Sequence, residues 1–220
     1  MKNTEFTRTK LNILICSFLL SVSFSAFSQE DQRKLMYQSA VEFNDRALIL
    51  FQQFSTDQDS IRKSLSLLDT AISRDSSFID AHINKVSMLC TLGMYEDMLA
   101  ELDDVRKMRR LDPELICVQG YILEKMGKGR EASFKYAEAD RLFDYFIKEN
   151  QNSIKNSVGK AFLQFFIRGE RAGLSEYKRL ERKDKEVILY RTMFYDFKRE
   201  DFIKNYCMAP RYTANNAVYR

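Results

Sequence analysis

Apolar residues along the chain recur at steps of three and four. Tyr95, Met98, Leu99, Leu102, Val105 and Met108 form one stripe, and Ala132, Tyr136, Ala139, Phe143 and Phe146 form the next. That spacing puts each set on one face of an α-helix. Gly93 and Gly127 fall where the chain must reverse between stripes. Pro113 opens the helix that follows, at the position where a missing N–H costs least. The unit predicted is therefore helix, turn, helix. A long entry helix is expected near 30–55, and Phe162, Phe165 and Phe166, then Tyr190, Phe194 and Phe197, mark further helical core stripes toward the C-terminus. From Pro210 helical periodicity stops.

The pattern repeats. Gly93 and Gly127 are 34 residues apart, and around them Leu92 aligns with Met126, Met98 with Ala132, Leu102 with Tyr136 and Val105 with Ala139. A further step of 34 toward the N-terminus reaches Ile61, Ser64, Leu68 and Ala71. A fourth pair of helices, 154–180, keeps a glycine turn at Gly169 but stands eight residues out of phase. Because one hairpin cannot bury its own apolar stripe, neighbouring units must cover one another.

The 34-residue unit resembles the tetratricopeptide repeat. With position 1 set at Ile79 and Pro113, the second unit carries Gly120 at position 8, Leu123 at 11, Ala132 at 20, Tyr136 at 24 and Ala139 at 27. The first has His82 where the family favours Trp, and Val86 in place of Gly. The resemblance spans roughly 45–183. It implies an all-α, right-handed α-solenoid whose first helices line a concave groove through positions 2, 5, 9 and 12. On this chain those are Asp80, Ile83, Ser87 and Cys90, then Glu114, Cys117, Tyr121 and Glu124. One branch of the family grips a terminal carboxylate with Lys and Asn at positions 5 and 9. Ile83 with Ser87, and Cys117 with Tyr121, argue against that specialisation and favour a helix or extended apolar peptide, with basic groups meeting the three carboxylates. The same register offsets Cys90 from Cys117 by roughly 10 Å along the helix axes. A disulfide needs Cα atoms within about 7 Å, so no Cys90–Cys117 bridge is expected.

Composition agrees with helices throughout: only 7 glycines and 2 prolines occur in 220 residues. The first 28 residues have the form of an export signal. Lys2, Arg8 and Lys10 precede the apolar run Leu11–Leu20, and Ala26 and Ser28 set small residues before a cut ahead of Gln29. The competing reading is an uncleaved anchor, which the interleaved serines disfavour. The expected organisation is a signal peptide at 1–28, a helical repeat domain at 29–206 and a loose tail at 207–220, exported to the periplasm or beyond. No later run is apolar enough to span a bilayer. After cleavage three cysteines remain, Cys90, Cys117 and Cys207, so at least one thiol stays free or pairs with another chain. Charge divides unevenly: 29–150 holds 17 basic and 22 acidic residues, while 151–220 holds 15 and 8.

Candidate chemistry is sparse. Gly127-Lys128-Gly129-Arg130 has the look of a phosphate loop, but such loops need a longer glycine-rich segment after a strand and Ser or Thr after the lysine. A turn is expected instead. His82, the single histidine, lacks the paired His or Cys spacing of a metal site and reads as a core residue. Neither a nucleophile elbow nor a Cys-His set is present, and the Glu96-Asp97 and Asp103-Asp104 runs suit solvated helix faces. The basic, aromatic C-terminal third could suggest single-stranded nucleic acid. Its rings keep helical spacing, however, and an exported chain seldom meets nucleic acid, so a closing cap with a basic outer face is expected. These features point to a non-catalytic scaffold of the cell envelope that holds a protein or peptide, without cofactor or metal. Two alternatives remain: a dedicated subunit or inhibitor docking through its convex or C-terminal face near Lys178, Lys183 and Lys185, and a binder of envelope glycan or anionic surface.

Overall fold

The computed structural model describes residues 30–109, 111–149, 153–208 and 210. The expected export signal at 1–28 and the end of the expected tail, 211–220, lie outside the described residues. Within them the chain is helical and contains no strand. A first helix, α1, spans 30–53. It is followed by α2 (Gln58–Arg74), α3 (Ile79–Thr91), α4 (Tyr95–Met108), α5 (Pro113–Lys125), α6 (Gly129–Lys148), α7 (Ser153–Ile167) and α8 (Glu170–Lys183). A 3-10 turn (Lys185–Tyr190) then leads to the short α9 (Arg191–Tyr195) and α10 (Arg199–Asn205). No helix of the described residues is long and apolar enough to cross a membrane.

The helix starts follow from local chemistry. Asp57 caps α2 by accepting the Ser60 amide at 3.0 Å. Asp112 caps α5 by accepting the amides of Glu114 and Leu115 at 3.0 and 3.3 Å, with Pro113 at the first helical position. Each such cap satisfies amides that a helix end leaves without intrahelical partners. The ends of α3 and α5 are two copies of one turn. Gly93 donates to the Cys90 carbonyl and Met94 to Leu89, at 3.0 and 2.9 Å; Gly127 donates to Glu124 and Lys128 to Leu123, at 2.9 and 2.8 Å. Both glycines have positive φ, 71° and 77°, the left-handed conformation this helix ending requires. The phosphate-loop look of residues 127–130 thus resolves into a helix end and the first residues of α6.

The 34-residue period carries into three dimensions. α3 and α5 begin 34 residues apart, as do α4 and α6. The equivalent trios Ser64, Met98 and Ala132, Leu68, Leu102 and Tyr136, and Ala71, Val105 and Ala139 are all buried. Each helix from α2 to α8 packs on the next in sequence. The eight-residue phase slip of the fourth pair has a simple origin: α6 runs for 20 residues where α4 runs for 14, and α7 for 15 where α5 runs for 13, so the Gly169 turn comes later.

Close approach between helices depends on small residues opposite rings. A Cβ on Gly120 would come within 2.2 Å of the Tyr136 ring, one on Gly159 within 2.8 Å of Phe143, and one on Gly173 within 2.2 Å of Phe165. Buried amides add directional contacts. Asn84 of α3 donates to Asn44 of α1 at 2.7 Å, Gln119 of α5 to Asp103 of α4 at 2.6 Å, and Gln164 of α7 to Asp140 of α6 at 2.9 Å. Each ties a helix to an earlier one, because an unmade bond from a buried amide is costly.

The C-terminal aromatics are core. Phe162, Phe165, Phe166, Phe194 and Phe197 are all buried, and Tyr177 stacks on Phe194 with centroids 4.2 Å apart while its hydroxyl donates to the Val187 carbonyl.

Candidate functional site

The eight residues expected to line the binding face occupy α3 and α5. Their surroundings differ from an open surface. Ile83, Ser87, Cys90, Cys117 and Tyr121 are buried, Asp80 and Glu124 are half-buried, and Glu114 is exposed. Glu114 meets Lys155 of α7 at 2.9 Å.

The chain's own C-terminal segment, Arg199 to Met208, lies against this face. Cys207 is disulfide-bonded to Cys90, with Cα atoms 5.6 Å apart and a sequence separation of 117. Cys207, the first residue of the expected tail, is thus covalently fixed to α3. Cys117 is a free, buried thiol, and no bridge joins it to Cys90, as the helix register requires. Burial pushes its pKa well up, so it remains a thiol.

Around the disulfide the segment makes apolar and charged contacts. Tyr121 has the rings of Phe202 and Tyr206 edge-on at 5.0 and 5.1 Å and the Phe166 ring at 4.7 Å. Phe202 also contacts Phe162, Phe166 and Phe197. Arg199 pairs with Glu124 and sets its guanidinium over the Phe166 ring. Glu124 in turn accepts from the Tyr136 hydroxyl at 2.7 Å, and Lys125 donates to the Tyr206 carbonyl at 2.8 Å. Burial raises the pKa of Tyr121 and of Tyr206, so both rings stay neutral in this contact.

Arg199, Phe202, Tyr206, Cys207 and Lys125 were absent from the eight positions expected to line the face. Two signals pointed to them. Arg199, Phe202 and Tyr206 keep three- and four-residue spacing, which aligns them on one side of a short helix. Once Cys90 and Cys117 are held apart by register, Cys207 is the remaining intrachain partner for either among the three.

His82 sits in a different place, inside the α3–α4 hairpin. Its Nδ1 meets the Glu101 carboxylate and its Nε2 lies 3.0 Å from the Ser76 carbonyl. Both neighbours accept, so both ring nitrogens must carry hydrogens for full satisfaction, which is the imidazolium form. Burial opposes that charge, yet the bonds to Glu101 and Ser76 outweigh it, and the His82 pKa is raised. Glu101 is likewise opposed by burial but held below its usual range by His82 and Lys85. Lys85 bridges Glu101 and Asp69, each at 2.8 Å. This is a charged pin between the two helices of a hairpin. His82 and Glu101 are both buried, which leaves substrate no access to the pair.

A cleft of about 540 Å³ opens on another side, between the end of α6, α7, α8 and the 3-10 turn. Its walls mix Lys160, Arg168, Arg179 and Lys183 with Asp144 and Glu176. Several of these are already paired: Lys160 with Asp144, and Arg168 and Arg179 with Glu176. No group of three or more His, Cys, Asp or Glu among the described residues is placed to hold a metal ion. No protein-family model matches the chain, and no curated protein matches it.

Proposed function

We propose that this chain is an exported, non-catalytic scaffold of tetratricopeptide type: a right-handed stack of helical hairpins that holds a protein or peptide partner along its first-helix groove in the cell envelope. The observation that carries the proposal is that three of the eight groove positions, Cys90, Tyr121 and Glu124, already receive a peptide-like segment, residues 199–208, whose backbone is also held by the neighbouring Lys125. A surface that can seat one amphipathic segment has the shape and chemistry to seat another. The repeated glycine turn and the repeated buried trios support the tetratricopeptide resemblance. The Cys90–Cys207 pairing supports export, since such bonds persist in oxidising compartments.

The test is site-directed photo-crosslinking in envelope extracts. A photoreactive residue at Glu114, the exposed carboxylate on the first-helix face, should capture a discrete partner, and one at Lys183 or Lys185 should not. Capture from Lys183 or Lys185 alone would favour docking through the basic C-terminal face. Charge reversal at Glu114 and Glu124 should weaken capture; unchanged capture would place the partner elsewhere.

A further inference from the structure

The segment on the groove has the properties of a bound ligand that happens to be tethered. Helix α10 is 7 residues long and none of its residues is fully buried. It follows Phe197, which belongs to the buried core, by way of Lys198 alone. Its contacts are the Arg199–Glu124 pair with Arg199 over the Phe166 ring, the Phe202 ring against Tyr121, Phe162, Phe166 and Phe197, the Tyr206 ring against Tyr121, the Lys125 bond to the Tyr206 carbonyl, and the disulfide. Helices of this length are marginal in water without tertiary contacts. The covalent link therefore adds to these side-chain contacts and keeps a short segment at high effective concentration over the groove.

We propose that residues 199–208 form a redox-released internal ligand, and that the groove's external partner is a peptide of the same chemistry. That partner presents a basic residue, an aromatic three residues later and a second aromatic four residues beyond, as Arg199, Phe202 and Tyr206 do. This rests on the scaffold reading above and names its partner class. Opening is thiol–disulfide exchange with a dithiol. One thiolate attacks a sulfur of the Cys90–Cys207 bond, the second thiolate resolves the mixed disulfide, and the dithiol leaves as a cyclic disulfide. Two electrons pass to the chain, and Cys90 and Cys207 each take up a proton. The freed segment then competes with external peptide as an ordinary intramolecular rival. Glu124 and Lys125 supply the polar recognition: a carboxylate for the incoming cation and an ammonium for a backbone carbonyl. Tyr121, Phe162 and Phe166 supply the apolar floor.

The probe is a fluorescein-labelled peptide with the sequence of residues 198–208 carrying Cys207→Ser, followed by anisotropy against the chain lacking residues 1–28. The oxidised chain should bind it at least tenfold more weakly than the same chain reduced with dithiothreitol. Cys90→Ser/Cys207→Ser should bind like the reduced chain, with or without reductant, which separates release of the segment from any other effect of thiol. Adding Phe202→Ala and Tyr206→Ala to that variant should tighten binding further, because the internal rival is weakened. Glu124→Gln should weaken it, and a probe with both aromatics changed to Ala should not bind. Circular dichroism confirms that each variant remains helical. Equal affinity of oxidised and reduced chains overturns the gate. A reduced, folded chain that ignores the probe yet crosslinks an envelope protein through Glu114 overturns the partner chemistry and leaves the scaffold reading standing. One that does neither overturns both.

Discussion

Substituting Gly120 by alanine tests the packing of the repeat at its tightest point. A Cβ there would lie 2.2 Å from Cε1 and 2.6 Å from Cδ1 of Tyr136, whereas carbon atoms settle at about 3.5–4.0 Å. The ring must therefore retreat by more than about 1 Å. It has little freedom to do so, with Tyr121 and Phe166 rings at 5.9 and 5.4 Å and its hydroxyl bonded to Glu124 at 2.7 Å. Overpacking costs about 1–3 kcal/mol, and loss of a hydrogen bond to a charged group about 1.5–3 kcal/mol. Against these stands a helix-propensity gain of about 0.5–1 kcal/mol for replacing glycine. The net expectation is a loss of about 2–4 kcal/mol, or roughly 5–15 °C in Tm for a domain of this size. Urea and thermal unfolding followed by circular dichroism would measure it. Gly129→Ala, where nothing lies within 4 Å, is the control and should be neutral or slightly stabilising. Combining Gly120→Ala with Tyr136→Leu should cost less than the sum of the two single changes by more than about 1 kcal/mol, since removing the ring removes the clash. A Gly120→Ala protein as stable as the parent, or additive effects in the double variant, would refute the close helix contact.

The His82–Glu101 pair predicts a pH profile. The raised His82 pKa contributes stability fully below its unfolded value near 6.5, lost as pH rises through the higher folded value; the lowered Glu101 pKa contributes above its unfolded value near 4.5, lost as pH falls through the lower folded value. The urea midpoint should thus be highest between about 4.5 and 6.5, and His82→Leu should narrow its gap to the parent as pH climbs above that range. Gly127→Ala, at φ 77°, should lower stability by about 1–2 kcal/mol with no side-chain clash to blame. Thiol titration of the oxidised chain lacking residues 1–28 should find no reactive group in the native state and one, Cys117, after denaturation without reductant. Three thiols would remove the Cys90–Cys207 bond from the picture.

Much of the fold was legible because the helix periodicity and the punctuation agreed. Gly93, Gly127 and Pro113 sit where turns and starts were expected, and positions 64, 98 and 132 share one buried role although Ser, Met and Ala fill them. The fourth hairpin was legible as well: its Gly169 turn stands eight residues late on sequence, and α6 and α7 are longer than α4 and α5 by six and two residues. The α3 and α5 face was legible as apolar and not as one covered by the chain itself. Periodicity reports which side of α5 is apolar, but it does not distinguish a partner from a distant segment of the same chain. That distinction depends on the 117-residue separation between Cys90 and Cys207, and on Arg199 finding Glu124 from 75 residues away. His82 was read correctly as a core residue. Its partner Glu101 stands three residues after Met98 and four before Val105, a spacing that sets it on the buried side of α4 although its charge suggests solvent.

The most direct measurement of the central claim is hydrogen–deuterium exchange over residues 199–208 in the oxidised and reduced protein. A groove filled by its own tethered segment predicts slow exchange there when Cys90 and Cys207 are bonded, and a rise of tenfold or more on reduction, while α2 and α6 keep their protection. Fast exchange of that segment in the oxidised protein, or identical exchange in the two states, would contradict it.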